Sequence, residues 1–110
     1  MPHVLNEQLN EYVMAVRASL GNSIKSVILY GSYARGDYND SSDIDVMVLV
    51  DIDEKDIHRV ENIFYDLAFD SELKYGKCLS PVIKNIDSFE YWADTLPFYR
   101  NVKLEGVKVA

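Results

Sequence analysis

Cysteine is all but missing from this 110-residue chain. Cys78 stands alone, so no disulfide can form within it. The expected setting is the reducing cytoplasm. No apolar run approaches the ~20 residues that a membrane-spanning helix needs. The opening stretch, MPHVLNEQLNEYV, lacks the basic and apolar regions of a secretory signal. Linkers, low-complexity tracts and internal repeats are also missing, which leaves one expected domain over residues 1–110.

Positive charge is scarce where acid is plentiful. Residues 1–73 carry 5 basic and 14 acidic side chains, whereas residues 74–110 carry 6 and 4; the net charge is −7. No basic cluster of the kind that grips nucleic acid is present, which argues against autonomous DNA or RNA binding. A partner protein or a metal-bound small anion suits this charge better. What the chain does have is a 48% hydrophobic share, with eight Tyr, four Phe and one Trp. That is enough for a globular core burying roughly two-thirds of the unfolded surface.

Apolar spacing alternates between helix and strand. Leu5, Leu9, Tyr12, Val13, Val16 and Leu20 recur at three- and four-residue steps, which predicts an amphipathic helix ended by Gly21-Asn22. Ser26 to Tyr30 and Ile44 to Val50 read as buried strands. Between them, Ser32 to Arg35 can make one helical turn closed by Gly36, and Asp37 to Ser42 is turn chemistry. A helix capped by Asp53 should run to about Lys74, with Ile57, Val60, Phe64, Leu67 and Ala68 facing the core. Cys78 to Ile83 reads as a third strand, at an edge or bulge because of Pro81. Asp87 with Glu90 suggests a capping box, and Pro97 suits the first turn of a helix over Pro97 to Leu104. A last short strand is expected in VKVA. The class is therefore α/β (α+β), a small mixed sheet flanked by helices. Tyr91, Trp92, Phe98 and Tyr99 are expected in the core.

Four aspartates, Asp37, Asp40, Asp43 and Asp45, fall within nine positions just before or inside a buried strand. If strands 26–30 and 44–50 pair antiparallel, Ser32 meets Asp43 and Asp45 at one sheet edge. Two residues apart on an extended chain, those carboxylates share a face and repel each other unless a cation intervenes. Hard oxygen ligands suit Mg²⁺. Gly31 permits close approach, and the amides of the turn after it can hold phosphate oxygens. Such a pairing of phosphate and metal sites suits nucleotidyl transfer. Two rival readings fail. In a calcium loop starting at Asp37, position 6 would be Ser42 rather than Gly and position 12 Val48 rather than Glu. No Gly-Lys-Ser/Thr follows to make a P-loop.

Gly31-Ser32, ten intervening residues and Asp43-Ile44-Asp45 resemble the G-S-x10-D-x-D signature of the polymerase-β-like nucleotidyltransferase superfamily. YGSYARGDYNDSSDID is closer still to the minimal nucleotidyltransferases (the MNT family), and PFYRNVKLEGVKV is similar to their C-terminal ending. The resemblance implies a single-domain nucleotidyltransferase fold. It assigns the nucleoside triphosphate to Gly31 and Ser32, and the catalytic metal ions to Asp43 and Asp45. Arg35 matches the Arg of the family's GSxARG variant, as a phosphate contact or structural support; apart from the resemblance, Ser41 and Ser42 can cap the loop or touch phosphate. ATP is the expected donor and AMP the group transferred, onto a hydroxyl of a partner protein. Many such proteins are antitoxins paired with a helical HEPN-type toxin, so a homo- or hetero-oligomer is a further expectation.

One departure stands out. The superfamily carries a third carboxylate on a later strand. If strand 78–83 runs parallel to strand 44–50, the residues beside the aspartates are Lys77, Cys78, Leu79 and Ser80, none of them acidic. Asp87 lies beyond the far end, roughly 20 Å away at ~3.3 Å per residue. Glu72 precedes the strand on the correct side. Three readings follow: Glu72 substitutes, the substrate supplies the missing ligand, or the domain binds nucleotide and neutralises its partner by contact with little or no catalysis.

Overall fold

The computed structural model describes residues 3–110; Met1 and Pro2, part of the expected 1–110 domain, lie outside the described residues. Helix α1 spans His3–Leu20, and a 3₁₀ turn at Gly21–Ser23 leads into β1, Ile24–Tyr30. A four-residue helix α2, Ser32–Arg35, precedes β2, Ile44–Val50. Helices α3 (Glu54–Ile57) and α4 (Glu61–Tyr75) lead to β3, Leu79–Asn85. Helices α5 (Ile86–Trp92) and α6 (Pro97–Glu105) precede the short β4, Val107–Lys108. The mixed sheet has the order β3-β2-β1-β4, with β1 antiparallel to β2 and β4, and β3 parallel to β2.

Strand β2 is central because both its faces are apolar. Ile44, Val46, Val48 and Val50 pack with Leu9, Val13, Val16, Phe64 and Ala68 of α1 and α4. Met47 and Leu49 turn to the other face and join Phe89 and Ala93, with Val102 of α6. Each such side chain, fully withdrawn from water, contributes on the order of 1.5–3 kcal/mol. The Tyr12 hydroxyl, deep between α1 and α4, donates to the Phe64 carbonyl at 3.0 Å.

Several expectations are sharpened. The helix expected from Asp53 to Lys74 is two helices, because Val60 breaks the run between them. Asp53 makes no side-chain cap bond. The box expected from Asp87 and Glu90 is replaced by Asn85, whose side chain accepts from the Ser88 amide at 3.0 Å. Pro81 does lie on an edge strand. Ile44 donates to the Cys78 carbonyl, so Ser80 and Val82 point their backbone groups at β2 while Pro81 faces the free side. There its missing amide breaks no ladder bond. The aromatics 91–99 do not form a common core: Tyr91 is 75% exposed, and Trp92 and Phe98 are largely accessible.

Candidate functional site

The strand register fixes the site. Tyr30 is opposite Asp45 in the β1–β2 pair, and Ser80 is opposite Asp45 in the β2–β3 pair. Alternation then puts Asp45 on the face of Met47 and Leu49, the face covered by α6. A one-residue slip would turn it into the α1/α4 core instead.

Immediately after β1 the chain turns at Gly31, with φ +75° and ψ −155°. Its carbonyl accepts from the Ala34 and Arg35 amides, which starts α2. A side chain could not replace the hydrogen: a Cβ at Gly31 would overlap the Asp45 carboxylate. Ser32 and Tyr33, as first-turn residues, have no acceptor within the helix for their amides. Gly36, at φ +88°, closes the turn.

The segment back to β2 is tied at several points. Tyr33 and Tyr38 stack at 4.4 Å with a 13° interplanar angle. The Ser42 hydroxyl accepts from the Asn39 amide at 2.9 Å, and the Lys77 ammonium donates to the Asp40 carbonyl at 3.0 Å. Asp43 is thereby delivered next to Asp45 by a fastened loop. Asp37 pairs with the Arg35 guanidinium at 3.2 Å.

Between β1, α2 and α6 lies a cleft of about 360 Å³. Gly31, Ser32, Arg35 and Asp45 line it from one side, and Phe98, Asn101 and Glu105 from the other, with Tyr30 at its floor. The sequence reading did not include Tyr30, Asn101 or Glu105, and it put Phe98 in the core. Arg35 meets Glu105 at 3.5 Å across 70 residues of sequence, a relationship no local motif can signal. The cleft unites four of the six expected residues. Asp43 adjoins Asp45 but stands outside the cleft on the Cys78 side, and Ser42 spends its hydroxyl on the loop.

Charge in the site is unbalanced. Burial raises the Asp45 carboxyl above its ordinary pKa, Asp43 raises it further, and Arg35 opposes both. The Tyr30 hydroxyl is pushed up to about 12 by burial and by Asp45. A divalent cation would relieve the repulsion that these shifts express. No cluster of three or more His, Cys, Asp or Glu side chains suited to a metal exists among the described residues. Two carboxylates nonetheless fit Mg²⁺, which keeps several waters and is completed by substrate phosphates.

Where a third acid was sought, Ser80 stands opposite Asp45. Cys78 lies 3.7 Å from the Ser80 hydroxyl, a contact that lowers its thiol pKa, but burial and then Asp43 and Glu72 together outweigh it and raise the thiol. Glu72 sits on α4 beside Ser80 and Pro81. Its carboxylate helps to raise the Cys78 thiol, which puts it on the Cys78 side of the aspartate pair. No described helix is long and apolar enough to cross a membrane.

The sequence model of the nucleotidyltransferase domain matches residues 9–103. A Methanocaldococcus jannaschii protein, whose name proposes it as a protein adenylyltransferase, is 35% identical over 107 residues. That match covers 93% of this chain and 96% of the relative. A second protein of that organism, named in the same way, is 36% identical over 77 residues, 70% of this chain and 76% of its own. A Sulfolobus solfataricus structure, described as a proposed nucleotidyltransferase, shares the fold with a TM-score of 0.64 at 22% identity. It covers 94% of this chain and 77% of its own. So does a toxin–antitoxin structure with AMP-PNP, with a TM-score of 0.58 at 17% identity, covering 96% of this chain and 72% of that one. With the domain match extending over most of its length, the chain belongs to the nucleotidyltransferase domain family and is a nucleotidyltransferase enzyme.

Proposed function

We propose that this single domain, residues 1–110, is a Mg²⁺-dependent adenylyltransferase that moves AMP from ATP to a hydroxyl of a partner protein. One observation carries the reading: Gly31, Ser32 and Asp45 line one cleft, with the glycine turn pressed against the carboxylate. The names of the 35–36% identical relatives support protein as the acceptor. The AMP-PNP in the toxin–antitoxin structure of the same fold supports ATP as donor and a toxin–antitoxin setting; the HEPN-type toxin partner and the cytoplasmic location are carried over from the resemblance of the sequence motif.

In this reading the Gly31-Ser32 turn and Arg35 hold the triphosphate. Asp43 and Asp45 hold Mg²⁺, which when bound neutralises phosphate charge and lowers the pKa of an attacking hydroxyl. The acceptor oxygen forms a bond to the α-phosphorus, the bond to pyrophosphate breaks, and the hydroxyl proton passes to solvent. Phe98, on the α6 wall and edge-to-face with Tyr30, offers an aromatic surface to a base. Ser42 contributes through the loop, with its hydroxyl turned to Asn39.

Incubation with ATP labelled in the α-phosphate, Mg²⁺ and the co-encoded partner tests this. Label on the partner supports the enzyme; unlabelled but tightly bound partner supports neutralisation by binding. Ser80 in place of an acid is the observation that favours the second reading.

A further inference from the structure

Helix α4 buries Phe64 and Ala68 and leaves Tyr65, Phe69 and Leu73 at four-residue steps on its flank, 44%, 58% and 69% exposed. The eight helical steps from Tyr65 to Leu73 make that stripe about 12 Å long, more than a small acceptor would cover. It does not face open solvent alone. Between the flank and the unpaired edge of β3 runs a groove of about 350 Å³, lined by Tyr65, Phe69, Glu72, Leu79 and Pro81 and reaching Ser80. Glu72 lines the groove and Glu61 lies against Tyr65 at the start of the stripe, whereas Asp70 and Lys74 belong to the α1 side of the helix, where Lys74 pairs with Glu11.

The groove ends at the reaction edge. Ser80 belongs to the groove and is the cross-strand partner of Asp45. The triphosphate side lies the other way, against β1, α2 and α6. In an in-line transfer the attacking and leaving oxygens occupy opposite sides of the phosphorus. With the phosphates at Gly31-Ser32, an acceptor entering around the β3 edge past Ser80 comes from the side away from the triphosphate.

We infer that the outer flank of α4 and the free edge of β3 are the docking groove for the acceptor, an apolar and basic protein segment that presents its hydroxyl past Ser80. This rests on the adenylyltransferase reading for the direction of attack. Charge selects the occupant: an acidic rim on an apolar stripe complements lysine-bearing segments and repels acidic ones. Tyr65 and Phe69 supply the aromatic contacts that dominate such interfaces.

The test uses fluorescently labelled short peptides with a central Tyr on an alternating Val background, graded from Lys-rich to Glu-rich. Binding is read by anisotropy without nucleotide. Lys-rich members should bind, increasingly weakly as salt rises, and Glu-rich members should not. A Phe69→Ala, Leu73→Ala variant with an unchanged circular dichroism spectrum should bind them roughly tenfold or more weakly, as loss of interface anchors does. Its ATP affinity should stay at the wild-type value. Binding indifferent to charge, equal binding by the variant, or no binding by any member overturns the inference. So does a self-association of the wild type that the variant loses, which would give the groove to a second copy. Failure of the wild type to bind ATP would sink the adenylyltransferase reading separately, because the peptide measurement contains no nucleotide.

Discussion

Gly31 and Asp45 occupy one another's space: the glycine has no side chain where the carboxylate stands, at a backbone φ of +75°. The end of β1 and the start of β2 are thus mutually fitted. Gly31→Ala should cost about 1–3 kcal/mol from backbone strain and overlap. ATP affinity should fall along with thermal stability, measured by titration and melting. An alanine variant with normal melting and normal ATP affinity would show that the close approach is dispensable.

The raised pKa of Asp45 has a definite sign. A carboxyl whose folded pKa exceeds its unfolded value binds more protons when folded. Its effect on stability therefore worsens as pH rises from the ordinary carboxylate range through the raised value, and stays unfavourable at neutral pH. Asp45→Asn should melt higher than wild type at pH 7 without metal. Mg²⁺ with ATP should raise the wild-type melting temperature and leave the Asn variant nearly unmoved. A lower metal-free melting temperature for Asp45→Asn contradicts the assignment.

Arg35 is shared between Asp37 and Glu105. Glu105 is also a negative charge inside a cleft meant for phosphates. Glu105→Gln should increase ATP affinity several-fold by removing that repulsion and loosening Arg35, while Arg35→Ala should reduce it. Isothermal titration at two salt concentrations checks both, since each effect should shrink with screening.

Ser80→Asp puts an acid opposite Asp45. The expected result is tighter Mg²⁺ binding, by about tenfold, since charge count tunes such sites. If the missing acid limits catalysis, AMP transfer also rises. Unchanged metal affinity would mean that the Ser80 side chain does not reach the pair.

Much of this was readable from residues alone. Ile44 to Val50 is bounded correctly because β-branched residues at every second position, with Met47 and Leu49 between them, leave little choice between the acidic turn and Asp51. The G-S and D-x-D pairs are local patterns, and antiparallel pairing of β1 with β2 was enough to bring Gly31 and Ser32 to Asp45. What stayed hidden depends on long-range packing. Glu105, Asn101 and Phe98 reach the cleft only because α6 crosses beside β1, and the spacing of an amphipathic helix does not say what its half-exposed side will face. The Asp53 and Asp87 caps failed for a related reason: several polar residues stood near each helix start, and tertiary position chose Asn85 over Asp87. Ser42 offers two roles in the sequence, loop cap or phosphate contact, and the turn geometry commits its hydroxyl to the first, accepting from the Asn39 amide.

The most direct test of the central claim compares wild type with Asp43→Asn, Asp45→Asn in transfer of α-phosphate label from ATP to the partner protein. The account predicts labelled partner that requires Mg²⁺, with the folded double variant slower by about two orders of magnitude or more. Labelling by the double variant at the wild-type rate, or without any divalent metal, would contradict it.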